Sequence, residues 1–150
     1  DKFKDNTLTS NFGEYYYLGK CIERKSLKLL PKLGSYLDWI ICGYGERPFF
    51  CIFSALGIII IFSFLYLITG IDTDGRSILY TFSNMYTWNI SKFIKDFNEA
   101  LNLSVGMFAG VGIDNGKPTE IGYLVANLEM LIGIVLMGVG VGTLVRKVIR

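Results

Sequence analysis

The stretch FFCIFSALGIIIIFSFLYLIT, Phe49 to Thr69, runs for 21 residues without a charge. At about 1.5 Å of rise per residue, a helix of that length matches a hydrocarbon core roughly 30 Å thick. Pro48 stands at its N-terminal edge, where a missing N–H is harmless, and Gly70 closes it. A membrane span, M1, is therefore expected over residues 49–70.

Working outward, the rest of the chain fits that reading. Of its 150 residues 51% are apolar, histidine is absent and the mean hydropathy is +0.42, which is too apolar for a soluble domain with an ordinary surface. A second run, IGYLVANLEMLIGIVLMGVGVGTLV from Ile121 to Val145, carries one charge, Glu129. It predicts a second span, M2, over residues 119–145. Before M1 lie Lys2, Lys4, Lys20, Arg24, Lys25, Lys28, Lys32 and Arg47, and after M2 come Arg146, Lys147 and Arg150. The connector has only Arg76, Lys92, Lys95 and Lys117 against Asp72, Asp74, Asp96, Glu99 and Asp114. An excess of Lys and Arg marks the cytoplasmic side, so both termini are expected there, in a multi-pass protein of the plasma (inner) membrane.

Several classes are disfavoured. A net charge of +2 with no basic run interleaved with aromatics argues against nucleic acid. Cys21, Cys42 and Cys51 are odd in number and lack CxxC spacing, so they read as free thiols rather than a disulfide framework or structural metal site. Ser and Cys have no plausible base partner and the glycine strings lack a P-loop lysine, so no enzyme and no cofactor is expected. The chain opens Asp1-Lys2 with no initiator Met and no signal-peptide pattern, which suggests either a fragment whose N-terminal part, expected to be a cytoplasmic domain, is missing from this stretch or a processed product.

Between the spans, Ile78 to Phe97 is polar and aromatic without clean periodicity. DFNEALNLSVGMF, Asp96 to Phe108, reads as a short helix that Asp96 or Asn98 could cap. Ala109-Gly110-Val111-Gly112-Ile113-Asp114-Asn115-Gly116 follows at once, then Lys117-Pro118-Thr119 and M2. The plainer reading of that string is a glycine-rich turn joining two helices. Before M1, Leu27 to Cys42 is interrupted by Lys28, Pro31, Lys32, Gly34 and Asp38 and cannot span. It reads as a short amphipathic helix, SYLDWIIC, with Trp39 at the interface, a glycine break at Gly43-Tyr44-Gly45, and Glu46-Arg47-Pro48 at headgroup level.

On LDWIICGYGERPF, FNEALNLSVGMFAGVGIDN and the inner run IGYLVANLEMLIGIVLMGVGVGTLVRKV, the chain resembles the two-transmembrane potassium-channel-like pore family, in particular its bacterial members of the pentapeptide-repeat-associated type. The upstream NFGEYYYLGKCIERKSLK is similar to their helical connector, and together these cover nearly all of the chain after about residue 10. The resemblance implies an all-α membrane protein in which two transmembrane helices flank a re-entrant pore helix and filter loop, four copies forming the pore. Residues 1–48 would be a cytoplasmic connector and interfacial pre-M1 helix, 71–95 an extracellular turret, 96–108 the pore helix, 109–116 the filter and 146–150 a cytoplasmic tail. The Gly43-Tyr44-Gly45 triplet spells the core of the family's filter, but a filter must lie between two spans, since irregular backbone at membrane depth has to be buried in protein or line water. The connector helix would cover Asn11 to Leu30, with Tyr15-Tyr16-Tyr17 packing on a neighbouring subunit or on the missing domain.

The favoured alignment sets the family's Thr-Val-Gly-Tyr-Gly on Gly110, Val111, Gly112, Ile113 and Asp114, with Ser104, Met107, Phe108 and Ala109 on the pore helix. A rival register sets Gly110-Val111-Gly112 on Gly-Tyr-Gly. In the favoured one Gly110 offers no hydroxyl, Ile113 cannot bond to the pore helix, and Asp114 takes a place that usually needs a left-handed backbone. Four Asp114 carboxylates at an outer mouth would attract cations, divalents especially. The expectation is a homotetrameric cation channel in the lipid bilayer with relaxed or altered selectivity, passing K+ and Na+, with Ca2+ a candidate. In M2, Asn127 and Glu129 either line the cavity or brace the pore helix, Glu129 bonding Ser104 or a backbone N–H there. Gly133 or Gly138 is either a gating hinge or a point of close helix packing. The alternative function is a non-conducting two-span anchor that oligomerises a cytoplasmic sensor domain.

Overall fold

A computed structural model describes residues 2–73, 75–80, 89–112 and 116–149, with side chains from Phe12 onward. The chain is mostly helical: α1 (Lys2–Ser26), α2 (Leu29–Cys42), a 3-10 turn (Gly43–Gly45), α3 (Pro48–Thr69), β1 (Ile71–Thr73), β2 (Arg76–Ile78), α4 (Ile90–Phe108), β3 (Lys117–Pro118) and α5 (Glu120–Ile149). Helices α3 and α5, of 22 and 30 residues, are long and apolar enough to cross a membrane, and only 22% of the most apolar window of each is buried within the chain. A core helix of a soluble protein would be mostly buried. Contacts divide the chain into two compact units, residues 1–54 with 136–150 and residues 55–135, each described by itself.

In the first unit, α1 begins well before Asn11 and stops at Ser26, short of Leu30. Helix α2 starts at Leu29, so Pro31 and Gly34 lie inside it rather than before it. Pro31 is tolerated because it falls in the first turn, where backbone N–H groups have no intrahelical acceptor. Gly43 ends α2 in the left-handed region (φ 55°) and returns its N–H to the carbonyls of Asp38 and Trp39. Tyr44 (φ 58°) and Gly45 (φ 77°) continue left-handed. For a tyrosine that conformation is rare, and it is held by a 2.8 Å hydrogen bond between the Tyr44 and Ser35 hydroxyls and by edge contact with the Tyr17 ring at 6.0 Å. The GYG triplet is thus the reversal between α2 and α3.

Two tyrosines of the cluster have partners within this unit. The Trp39 indole N–H donates to the Tyr17 hydroxyl at 2.8 Å, and Arg47 lies over the Tyr17 ring at 4.4 Å. Arg146 lies 5.7 Å from the centre of the Tyr16 ring. Tyr15 stays exposed. Amphipathic rings this close to arginines gain cation–π attraction inside the unit, so part of the cluster has its partners within the chain.

In the second unit, the last residue of α3 and the residue just before α5 are tied together. The Thr119 hydroxyl donates to the Thr69 carbonyl at 2.7 Å, the Thr119 N–H reaches Gly70 O at 3.3 Å, and β1 pairs antiparallel with both β2 and β3 in the order β2-β1-β3. This small sheet lies in the connector and at the foot of α5, where sequence periodicity predicts no strand, because strands of two or three residues are too short for alternation to register. Helix α4 begins at Ile90, six residues ahead of the expected Asp96. Its cap is Asn89, whose side chain accepts from Ser91 N at 3.1 Å. Asp96 is instead buried on the inner face and accepts from the Tyr80 hydroxyl at 2.5 Å. The core comprises Tyr66, Leu67, Ile71, Ala100, Leu103 and Ala126, with Phe93 and Phe97 against it. Within α4, Ala100, Leu103, Ser104 and Phe108 form one buried face at three- and four-residue spacing.

Candidate functional site

Glu129 is fully buried on α5, an expensive place for a carboxylate unless its oxygens are bonded. One oxygen accepts from the Tyr66 hydroxyl of α3 at 2.6 Å. The other accepts from the Ser104 hydroxyl of α4, which also lies 2.9 Å from the carbonyl of Ile59 on α3. A single carboxylate therefore joins three helices. Of the two positions open to Glu129 in the sequence, its contact is the one with Ser104. Asn127, paired with it in the sequence reading, is exposed. Tyr66 was not singled out by the sequence, although a tyrosine inside an uncharged apolar run needs a partner for its hydroxyl, and Glu129 was the charge available.

These contacts set how far α4 runs alongside α3 and α5. Ile59 precedes the end of α3 by ten residues, about 15 Å of helix. Phe108, at the end of α4, rests its carbonyl against Gly133, so closely that a Cβ on Gly133 would collide with the Phe108 backbone. Gly133 lies thirteen residues into α5, about 20 Å. Gly138 meets nothing, and a Cβ there would enter open space. The smallness of Gly133 is thus used for close approach, while Gly138 has no such contact.

Beyond α4 the backbone turns. Gly110 and Gly112 have φ of 71° and 72°, which an L side chain rarely adopts. Gly110 N–H donates to Met107 O, and the N–H groups of Val111 and Gly112 both donate to Gly106 O, at 3.0 to 3.1 Å. With no cis peptide bond, each of these peptide planes directs its C=O opposite to its N–H. The carbonyls of Ala109, Gly110 and Val111 accordingly point away from α4. Val111 is 84% exposed, Ala109 and Gly110 are exposed, and Met107 is half-buried. Ile113 and Asp114, the remaining two filter positions of the sequence reading, lie outside the described residues.

Beside the turn is a cavity of about 480 Å³ lined in part by Thr73, Glu99, Asn102, Val111 and Gly112. Thr73 Oγ1 and Glu99 Oε2 are buried with no hydrogen-bond partner among the described residues. Cys21, Cys42 and Cys51 are free thiols, and the described residues contain no group of three His, Cys, Asp or Glu side chains placed to hold a metal.

The fold and site thus define a mostly helical chain with two helices apolar enough to cross a membrane and a third helix wedged against both, ending in a glycine turn. Protein-family models, curated proteins and solved structures offer no match to it.

Proposed function

We propose that the chain is one subunit of a homotetrameric cation channel of the potassium-channel-like type, with relaxed or altered selectivity. The observation that carries this reading is the wedge of α4. The end of α4 against Gly133, about 20 Å along α5 from the end where Thr119 is bonded to Thr69, supports the reading of α4 as a re-entrant pore helix. Its C-terminal partial negative charge favours a cation in an aqueous cavity. The carbonyls of Ala109, Gly110 and Val111, turned away from α4, support a role for them as oxygens that replace hydration water around an ion.

One chain cannot enclose an ion path, and fourfold repetition closes one. The exposed surfaces of α3 and α5, the exposed Val111 and the Thr73 and Glu99 oxygens, which have no hydrogen-bond partner among the described residues, support a site completed by neighbouring copies. On this reading M1 and M2 are α3 and α5, both termini are cytoplasmic, and the protein resides in the inner membrane. Purified chain in liposomes should pass K+ and Na+ in a flux assay. Reversal potentials under K+, Na+ and Ca2+ gradients should show weak discrimination between K+ and Na+. A strict preference for K+ would reject the relaxed filter, and absence of flux from a correctly inserted tetramer would leave the non-conducting anchor.

A further inference from the structure

The unit of residues 1–54 and 136–150 holds a cavity of about 640 Å³, within the range usual for ligand sites. Three cations line it: Lys20 and Arg24 from α1, and Arg146 from the end of α5. Two acids, Glu23 and Asp38, also line it, which leaves a net positive charge. Lys20 is occupied by Glu23 at 2.8 Å, and that hydrogen bond holds its ammonium above the usual range. Arg146 has a looser contact with Glu46, at 3.3 Å.

Arg24 is different. Its guanidinium lies 4.3 Å from the Tyr36 ring centre and 4.9 Å from that of Trp39, so its position is set by aromatic contact rather than by a carboxylate. Its Nη1 is buried with no hydrogen-bond partner among the described residues. An unmet charged donor is costly, and an oxyanion entering the cavity removes the cost. A guanidinium fork matches phosphate oxygens in particular.

The surroundings indicate at what depth such a ligand would lie. Helix α2 turns Pro31, Ser35, Asp38 and Cys42 toward the cavity, while Leu30, Leu33, Leu37 and Ile40 on its other side are exposed. That division is the pattern of a helix lying in a membrane interface, with its polar side at headgroup level. We propose that this cavity binds a phosphate group, with Arg24 as the principal ligand and Lys20 and Arg146 flanking it, presented by an anionic lipid headgroup or by a small soluble phosphate ester.

The proposal rests on the cavity's own residues and not on ion conduction, so either can fail without the other. The chain of residues 1–150 in neutral detergent is titrated with dioctanoyl phosphatidic acid, with dioctanoylglycerol, which lacks the phosphate, and with glycerol 3-phosphate. Binding is read by Trp39 fluorescence in a Trp88→Phe background and by adduct counting in native mass spectrometry. Phosphatidic acid is expected to saturate one site per chain, with Arg24→Gln weakening it about tenfold, the effect of losing one charged hydrogen bond. Glycerol 3-phosphate binding with similar affinity identifies a soluble ligand, and its failure alongside phosphatidic acid binding identifies a lipid. Lys20→Gln, in a surface pair, is expected to weaken binding about threefold and covers the case in which Arg24→Gln misfolds. Dioctanoylglycerol binding as tightly as phosphatidic acid, no saturable binding of either phosphate probe, or parental affinity in the variants that fold would overturn the proposal.

Discussion

Glu129→Ala removes the acceptor for two hydroxyls at once, yet the two are left unequal. Ser104 keeps the Ile59 carbonyl, whereas Tyr66 has only the carboxylate among its described hydrogen bonds. A buried hydroxyl without a partner costs about 1–3 kcal/mol, so Glu129→Ala should lower thermal stability by about that much, and Tyr66→Phe added to it should cost little more. Glu129→Gln, which keeps one acceptor oxygen, should fall between the parent and Ala. Melting of the detergent-solubilised chain tests the order. Single-channel conductance of the Gln variant separates bracing, which leaves conductance unchanged, from a carboxylate that concentrates cations. The sequence marked Glu129 as a charge that had to meet water or a partner, because such a charge is conspicuous in an apolar run. It did not identify Tyr66, because nothing in one helix tells which rung of another it faces.

Among the helices, α5 carries the sharpest contrast. Gly133→Ala forces a methyl group into the Phe108 backbone and should cost about 1–3 kcal/mol through overpacking, whereas Gly138→Ala meets open space and should leave stability unchanged or slightly raised. Melting temperatures of the two variants check this. A changed open probability in Gly138→Ala without a stability change would point to bending there. Helix α4 depends on its first turn. Asn89→Ala removes the side-chain acceptor for Ser91 N–H and should cost about 1 kcal/mol, seen as faster amide hydrogen exchange at the start of the helix.

Its contact with the connector is also pH-sensitive. Burial, together with the hydrogen bond to Asp96, pushes the Tyr80 phenol up to about 12 from an ordinary 10.0. A raised folded-state value means the contribution is fully present below pH 10 and is lost as pH rises through about 12. Tyr80→Phe should therefore flatten the alkaline limb of a stability profile over that window. The sequence marked Asp96 as a possible cap, but its acceptor capacity goes to Tyr80. Asn89, a better-placed short polar side chain ahead of Ile90, was masked by the aromatic stretch on either side of it.

For the whole molecule, the proposed channel requires that four copies meet at the glycine turn, and Asp114→Asn should then lower divalent permeation or block more than monovalent flux, measured in liposomes or planar bilayers. The sequence by itself determined the two long apolar helices, because an uncharged run long enough to match a bilayer is a property of composition and length and needs no knowledge of neighbours. It also located the glycine turn after Phe108, since only glycine readily takes the positive φ found at Gly110 and Gly112. Only the tertiary structure decided that α4 starts at Ile90, that Glu129 meets Tyr66 as well as Ser104, that Gly133 receives the Phe108 carbonyl and that Arg24 lines a cavity with one N–H group unmet among the described residues. The Glu129 and Gly133 contacts are meetings between residues far apart in the chain, and local propensity carries no information about which distant partner will satisfy a buried polar group or fill the space beside a glycine.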